Sequence, residues 1–238
     1  MNCVVTKSLL VLFLLFTMIY KFYFKRIFDF TMALIALLIL SPVLIICMLI
    51  LLLTGEHEVF YFQERMGYKN QLFSIWKFAT MLKNSEKIGT GTITLRNDSR
   101  VLPFGRFLRK TKLNELPQIF NVLLGSMSVV GARPLVIEGF ESYFEEFKAK
   151  IYNTPPGITG IGSIVFRDEE KILSQGGDPN EIYKNIILPY KGALELWYQQ
   201  NISFVVDIKI LILTFWIIVF PETELHYKWF KNLPTKPA

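Results

Sequence analysis

Cysteine and histidine are nearly missing from this 238-residue chain, which has two of each. Cys3 and Cys47 both sit inside apolar runs, so they make no disulfide framework, and the rest of the chain has no thiol for catalysis or for a cysteine-ligated zinc. Neither His57 nor His226 has metal-like neighbours in sequence, which takes histidine out of the candidate chemistry. Charge is also sparse, at 19% of residues, and residues 30–53 carry none. Beyond residue 53 the shortage reverses: the last apolar run, 202–220, is interrupted by Asp207 and Lys209 and keeps only 11 uncharged residues in a row. A polytopic transporter is therefore excluded. Internal repeats and low-complexity tracts are absent as well.

What is present is an apolar head on a body of ordinary composition. Of the first 53 residues, 41 are apolar, against 52% for the whole chain. Residues 8–20 are uncharged, lack a small-residue cleavage site after them and run into Lys21, Lys25 and Arg26. They read as a retained anchor with its basic flank on the cytosolic side. Residues 30–53 are long enough, at about 36 Å of helix, to cross a hydrocarbon core of about 30 Å. Ser41-Pro42 stands in the middle. Proline removes a backbone donor and kinks the helix, while a serine hydroxyl can take up the freed carbonyl. On residues alone, a kinked span and a re-entrant helix-break-helix hairpin both remain open.

The charge of +6 is small for the length, and the pI of 9.2 is only mildly basic. Basic residues nevertheless gather in 95–112, where Arg96, Arg100, Arg106, Arg109, Lys110 and Lys112 face the single acid Asp98. This reads as an anion site or a lipid-headgroup surface, with no nucleic acid as partner. Val59–Phe62 and Leu72–Phe78 alternate like strands around a turn, with Phe60, Phe62, Phe73 and Trp76 as core. Helical spacing covers 104–112, 115–124, Leu135–Ile151 and 179–200, with a shorter stretch near 168–175. The run 202–220 predicts a helix on the membrane or against the first hairpin, with Asp207 turned inward and paired, since a carboxylate against lipid is costly.

From Asp98 the chain reads DSRVLPFGRFLRKTKLNELPQIFNVLLGSMSVVGARP. With KRIFDF ahead of the Ser-Pro run, FYFQERMG, FSIWKFATM and PGITGIGS, in that order, it resembles the bacterial sugar transferases, the monotopic polyprenyl-phosphate phosphoglycosyl transferases. The resemblance spans about Lys25 to Thr214. It implies transfer of a sugar 1-phosphate from a UDP-sugar to polyprenyl phosphate, with Mg²⁺, at the cytosolic face of the bacterial inner membrane. It also implies that 30–53 is the re-entrant hairpin. The family's central Asp-Glu, whose aspartate attacks the sugar-bearing phosphorus, is Asn114-Glu115 here. An amide is a poor nucleophile, so the covalent route is closed as written. Lesser departures are Ala79, Ser126 and Ala132.

The residues themselves suit phosphoryl transfer, which needs anion clamps, a metal and an aligned nucleophile. Glu115 is a hard-oxygen ligand for Mg²⁺. Arg109 and Arg133 match basic positions of the family's site and offer bidentate forks, while Lys77 adds a point charge. Asn114 occupies the nucleophile's place or caps a helix. The acidic run at Asp168-Glu169-Glu170 is either a sugar or uridine contact or a solvated helix start. The expected fold is a membrane-associated α/β or α+β protein: anchor 1–24, hairpin 25–54 broken at Ser41-Pro42, a mostly helical cytosolic domain with a small sheet over 55–221, and a tail 222–238. Expected partners are a UDP-sugar, polyprenyl phosphate, membrane lipid and a second copy of the chain. The alternative function is a non-catalytic, membrane-bound binding or assembly subunit that has lost the nucleophile.

Overall fold

A computed structural model describes residues 18–85, 98–167, 169 and 179–235. The expected anchor lies almost wholly outside the described residues. A π-helical turn, Tyr20–Phe24, leads into α1, Lys25–Leu53. The structure shows one continuous helix here where the sequence suggests two halves with a break: helical backbone continues through Pro42. The reason lies in local repair. Proline 42 leaves the carbonyl four residues earlier without its donor, and the Ser41 hydroxyl donates to that carbonyl, Leu38 O, at 2.9 Å.

Helix α1 lies along the domain for its whole length. Its inner stripe, from Lys25, Asp29 and Ala33 to Leu44, Cys47 and Leu51, is buried, while Leu34, Leu38, Ile39, Ile45, Ile46 and Leu53 on other faces stay exposed. The middle of the stripe packs on Ile75, Ile119, Val122 and Met127, and its end on Phe78 and Leu108. Arg26 donates to the carbonyls of Val122 and Leu123.

The expected hairpin forms. Strands β1, Phe60–Met66, and β2, Leu72–Phe78, pair antiparallel with Tyr61 opposite Lys77 and Gln63 opposite Ile75. The period-2 side-chain rule puts Tyr61, Gln63, Arg65, Ile75 and Lys77 on one face. Phe60 and Trp76 share the other with Phe62, which is half exposed instead of core. Then follow α2, Pro103–Lys110, and α3, Gln118–Leu124. Gly105 permits α2 to lie on the end of β2, since a Cβ there would meet Thr80 O at 2.2 Å. Asn121 of α3 pins the hairpin: its side chain accepts from Trp76 N at 2.9 Å and donates to Ser74 O at 2.8 Å.

Among the described residues the small sheet is two small sheets. The second joins β3, Ser128–Val130, to β4, Gly157–Thr159, in parallel. Between them the single amphipathic helix expected over Leu135–Ile151 is instead two short ones, α4, Ile137–Glu141, and α5, Glu145–Lys148. The chain turns at Phe144, which is exposed. The turn lets Phe140 stack on Tyr152 and Phe147 press into the notch at Gly192.

Helix α6, Ile161–Val165, is followed by α7, Pro179–Ile182, which continues through a π-helical turn into α8, Leu188–Asn201. Helix α9, Phe204–Val219, comes next, capped by Ser203. Asp207 is fully buried and paired, as expected, accepting from Lys25 Nζ and Tyr20 OH, each at 2.7 Å, and Tyr198 OH at 2.8 Å. The segment after residue 221 does not trail as a tail: α10, Leu225–Trp229, leads Phe230 and Leu233 into the main core.

Candidate active site

The polar face of the β1–β2 hairpin forms one wall of a cleft lined by Arg65, Ile75, Lys77, Gln118, Arg133, Pro134 and Gly157. Gln63 joins its two cations: its amide oxygen accepts from Arg65 Nη2 at 2.6 Å and from Lys77 Nζ at 3.2 Å. Burial, followed by the charge of Arg65, lowers the Lys77 ammonium to about 7.

The Arg133 loop forms the opposite wall. Tyr152 OH donates to Arg133 O at 2.8 Å and accepts from Leu135 N at 3.0 Å. Arg65 Nη1 reaches Pro134 O at 3.3 Å, tying hairpin to loop. The loop can lie close to β4 because neither Gly131 nor Gly157 has a side chain; a Cβ on Gly157 would sit 2.1 Å from Gly131 N.

Asn114 and Glu115 enter on a 3₁₀ turn, Leu113–Glu115, launched by Lys112 in the left-handed region at φ 60°. Leu113 and Leu116 anchor it against the end of α1. Glu115 pairs with Arg133 at 3.2 Å. Burial opposes its charge, but Arg133, Lys77 and Lys112 outweigh burial and hold the carboxyl below its ordinary value. Lys112, read as a headgroup contact, thus acts on the site electrostatically. The Asn114 Oδ1 is buried with no hydrogen-bond partner among the described residues.

The structure therefore brings Lys77, Glu115 and Arg133 together, with Asn114 next to Glu115. Arg109 stands further out, its Nη1 3.8 Å from Met81 Sδ, its charge still acting on Lys77. Arg100 is held by Asp98 at 2.6 Å. Arg65, Gln63 and Gln118 were missed as site residues, although the alternation of Tyr61, Gln63 and Arg65 opposite Lys77 was a readable signal. Of the acidic run, Glu169 pairs with Lys191, and Asp168 and Glu170 lie outside the described residues. Among the described residues no group of three or more His, Cys, Asp or Glu is placed to cage a metal.

Residues 20–221 match the family described as bacterial sugar transferase. The chain belongs to the bacterial sugar transferases. It is 34% identical over 200 residues to an undecaprenyl-phosphate glucose phosphotransferase of Komagataeibacter xylinus, covering 80% of this chain and 35% of that protein. The same identity holds over 196 residues against a UDP-glucose:undecaprenyl-phosphate glucose-1-phosphate transferase of Klebsiella pneumoniae, covering 80% and 39%. The chain thus spans well under half the length of these two transferases. Against the uncharacterized sugar transferase EpsL of Bacillus subtilis it is 34% identical over 190 residues, covering 80% and 84%. These bacterial sugar transferases share with this chain the region that contains the hairpin, the Asn114-Glu115 turn and the Arg133 loop.

Proposed function

We propose that this protein transfers a sugar 1-phosphate from a UDP-sugar to polyprenyl phosphate, giving polyprenyl-diphosphate-sugar and UMP, as a first membrane step in building a surface polysaccharide. The observation that carries the reading is the cleft itself, where three cations, Arg65, Lys77 and Arg133, converge with, among the described residues, Glu115 as their paired acid. A nucleotide diphosphate supplies the missing negative charge. The names of the relatives from K. xylinus and K. pneumoniae agree with that chemistry.

The donor set fits Mg²⁺, which takes one or two carboxylates and completes its shell with phosphate and water. Glu115, kept ionised, would hold it, with the unpartnered Asn114 Oδ1 as a second hard oxygen. The metal would neutralise charge on the diphosphate. Arg65, Lys77 and Arg133 orient the two phosphates. With an amide at position 114, the polyprenyl phosphate oxygen attacks the sugar-bearing phosphorus directly, forming one P–O bond as the bond to UMP breaks.

What supports the proposed embedding is α1. Both Lys25 and Leu51 grip the same domain, so a helix crossing the bilayer would drag the domain with it. We read α1 as re-entrant, bending at Pro42, with both ends and the cleft on the cytosolic side of the inner membrane.

The test is UMP release by the purified full chain in lipid nanodiscs with Mg²⁺, polyprenyl phosphate and a panel of UDP-sugars. Release that is lost in Glu115→Gln supports direct transfer, and a phosphorylated Asn114 or Glu115 peptide overturns it. Silence from the native protein, with release from Asn114→Asp, favours the other reading, a binding or assembly subunit.

A further inference from the structure

Between the two cations of the hairpin wall stands a neutral side chain, Gln63. The antiparallel register sets Gln63 opposite Ile75 and Tyr61 opposite Lys77. Gln63 and Lys77 are therefore diagonal neighbours on one face, a separation that long side chains span. Arg65 follows two residues later on the same strand and shares that face. The three side chains meet at one atom. Gln63 Oε1 accepts from Arg65 Nη2 at 2.6 Å, from Arg65 Nε at 3.2 Å and from Lys77 Nζ at 3.2 Å.

The orientation of this amide is forced. Arginine and lysine only donate, so the carbonyl end of Gln63 faces them and its NH₂ turns away. A shared carbonyl oxygen lowers the cost of setting two like charges side by side, yet cancels neither. A carboxylate in the same place would pair with both and take a full charge out of the cleft. Among the described residues, the oxygens that hold these two cations are neutral: Gln63 Oε1 for both, and Pro134 O for Arg65. Arg133 differs, since it has the acid Glu115 at 3.2 Å.

We propose that Gln63 is the positioning residue for the hairpin's two cations, a neutral bridge that holds Arg65 and Lys77 together on the cleft wall and leaves both charges free for a bound diphosphate. The gain to a diphosphate rests on the proposed transfer reading; the bridge between the cations does not. The charged groups acting on Lys77 are Arg65 from β1, Glu115 from the 3₁₀ turn, Arg133 from the loop and Arg109 from α2. Arg65 also faces Tyr61 and Tyr152. Burial and then Arg65 hold Lys77 at about 7, as expected of an ammonium bridged to a like charge by a neutral oxygen.

Methionine removes the acceptor at nearly constant volume, and glutamate keeps the acceptor but charges it. In nanodiscs, the full chain and its Gln63→Met and Gln63→Glu variants are compared in two ways. One is affinity for UDP at about pH 6 in EDTA, where Lys77 is protonated and side chains alone bind the phosphates. The other is the pH dependence of acetylation at Lys77, read by mass spectrometry. Both variants bind UDP about tenfold more weakly, the scale of one charge-assisted hydrogen bond. Gln63→Glu does so without a lower Tm, and it carries the titration of Lys77 to about 8 or above, whereas Gln63→Met does not raise it. A merely structural hydrogen bond predicts that Gln63→Glu, with its acceptor intact, binds UDP as the native chain does, and that result overturns the proposal. Native affinity in Gln63→Met, or a Lys77 titration unmoved by Gln63→Glu, overturns it as well. A titration that rises as stated in a chain that binds no UDP upholds the bridge and overturns the phosphate reading of the cleft.

Discussion

Two of the charge clusters among the described residues are built on opposite plans. At the base of α1, Lys25 meets Asp207 at 2.7 Å and Asp29 at 3.7 Å. Tyr20 and Tyr198 complete Asp207, while Ser128 Oγ and Val129 N complete Asp29. Every carboxylate there is answered. In the cleft, Arg65, Lys77 and Arg133 share one acid, Glu115, and the Asn114 oxygen is unanswered. The first cluster closes on itself and joins elements far apart in sequence. The second is left short of negative charge among the described residues, which is the arrangement the proposed anion site needs.

The comparison breaks most visibly at Asp207. Asp207→Ala takes from buried Lys25 its 2.7 Å partner and leaves it only Asp29 at 3.7 Å, and about 3–5 kcal/mol of stability should go, read as the denaturation midpoint in detergent. Replacing Asp207 and Lys25 together by Leu and Met should restore most of it. Equal losses in the single and double variants would show that the pair does not act as a unit.

Cleft substitutions should do the reverse. Arg133→Ala and Arg65→Met are each expected to weaken binding of a UDP-sugar by about 10- to 100-fold, the scale of a charge-assisted hydrogen bond, while the midpoint stays or rises. Calorimetry and melting on the same samples separate the two effects.

Lys77 sharpens the contrast through pH. It clamps phosphate only when protonated, and its pKa is lowered to about 7 by burial and Arg65. Affinity for UDP should therefore be full below pH 7 and fall as pH rises through that value. In Lys77→Arg the fall should vanish, because arginine stays charged throughout.

The smallest effect belongs to Ser41. Ser41→Ala should cost about 1 kcal/mol, the worth of its bond to Leu38 O. In a Pro42→Ala background, where the backbone N–H returns to that carbonyl, it should cost close to nothing. An unchanged cost would detach the serine from the proline.

Much of this was legible before any coordinates. A lone acid in the apolar run 202–220 had to face inward, and Asp207 does. The alternation of Leu72–Phe78 placed β2 to the residue, whereas the first strand, read as Val59–Phe62, runs on to Met66 and carries Gln63 and Arg65 into the cleft. The break in Leu135–Ile151 was not legible, because the periodicity of that segment is genuinely helical; what turns it is Phe147 finding the notch at Gly192, 45 positions away. At Pro42 the proline itself was legible, but its local repair was not: the Ser41 hydroxyl takes Leu38 O and helical backbone continues past the proline.

Arg26 carries a consequence of its own. The last turn of α3 ends at Gly125 in the left-handed region, and its carbonyls at Val122 and Leu123 are taken by an arginine from α1. One helix supplies the terminus of another. Helix α3 opens at Gln118, which lines the cleft, so stripping away the apolar helix would undo one end of α3 and loosen a wall of the site at the other. The part that would hold the lipid and the part that would hold the nucleotide thus meet through α3.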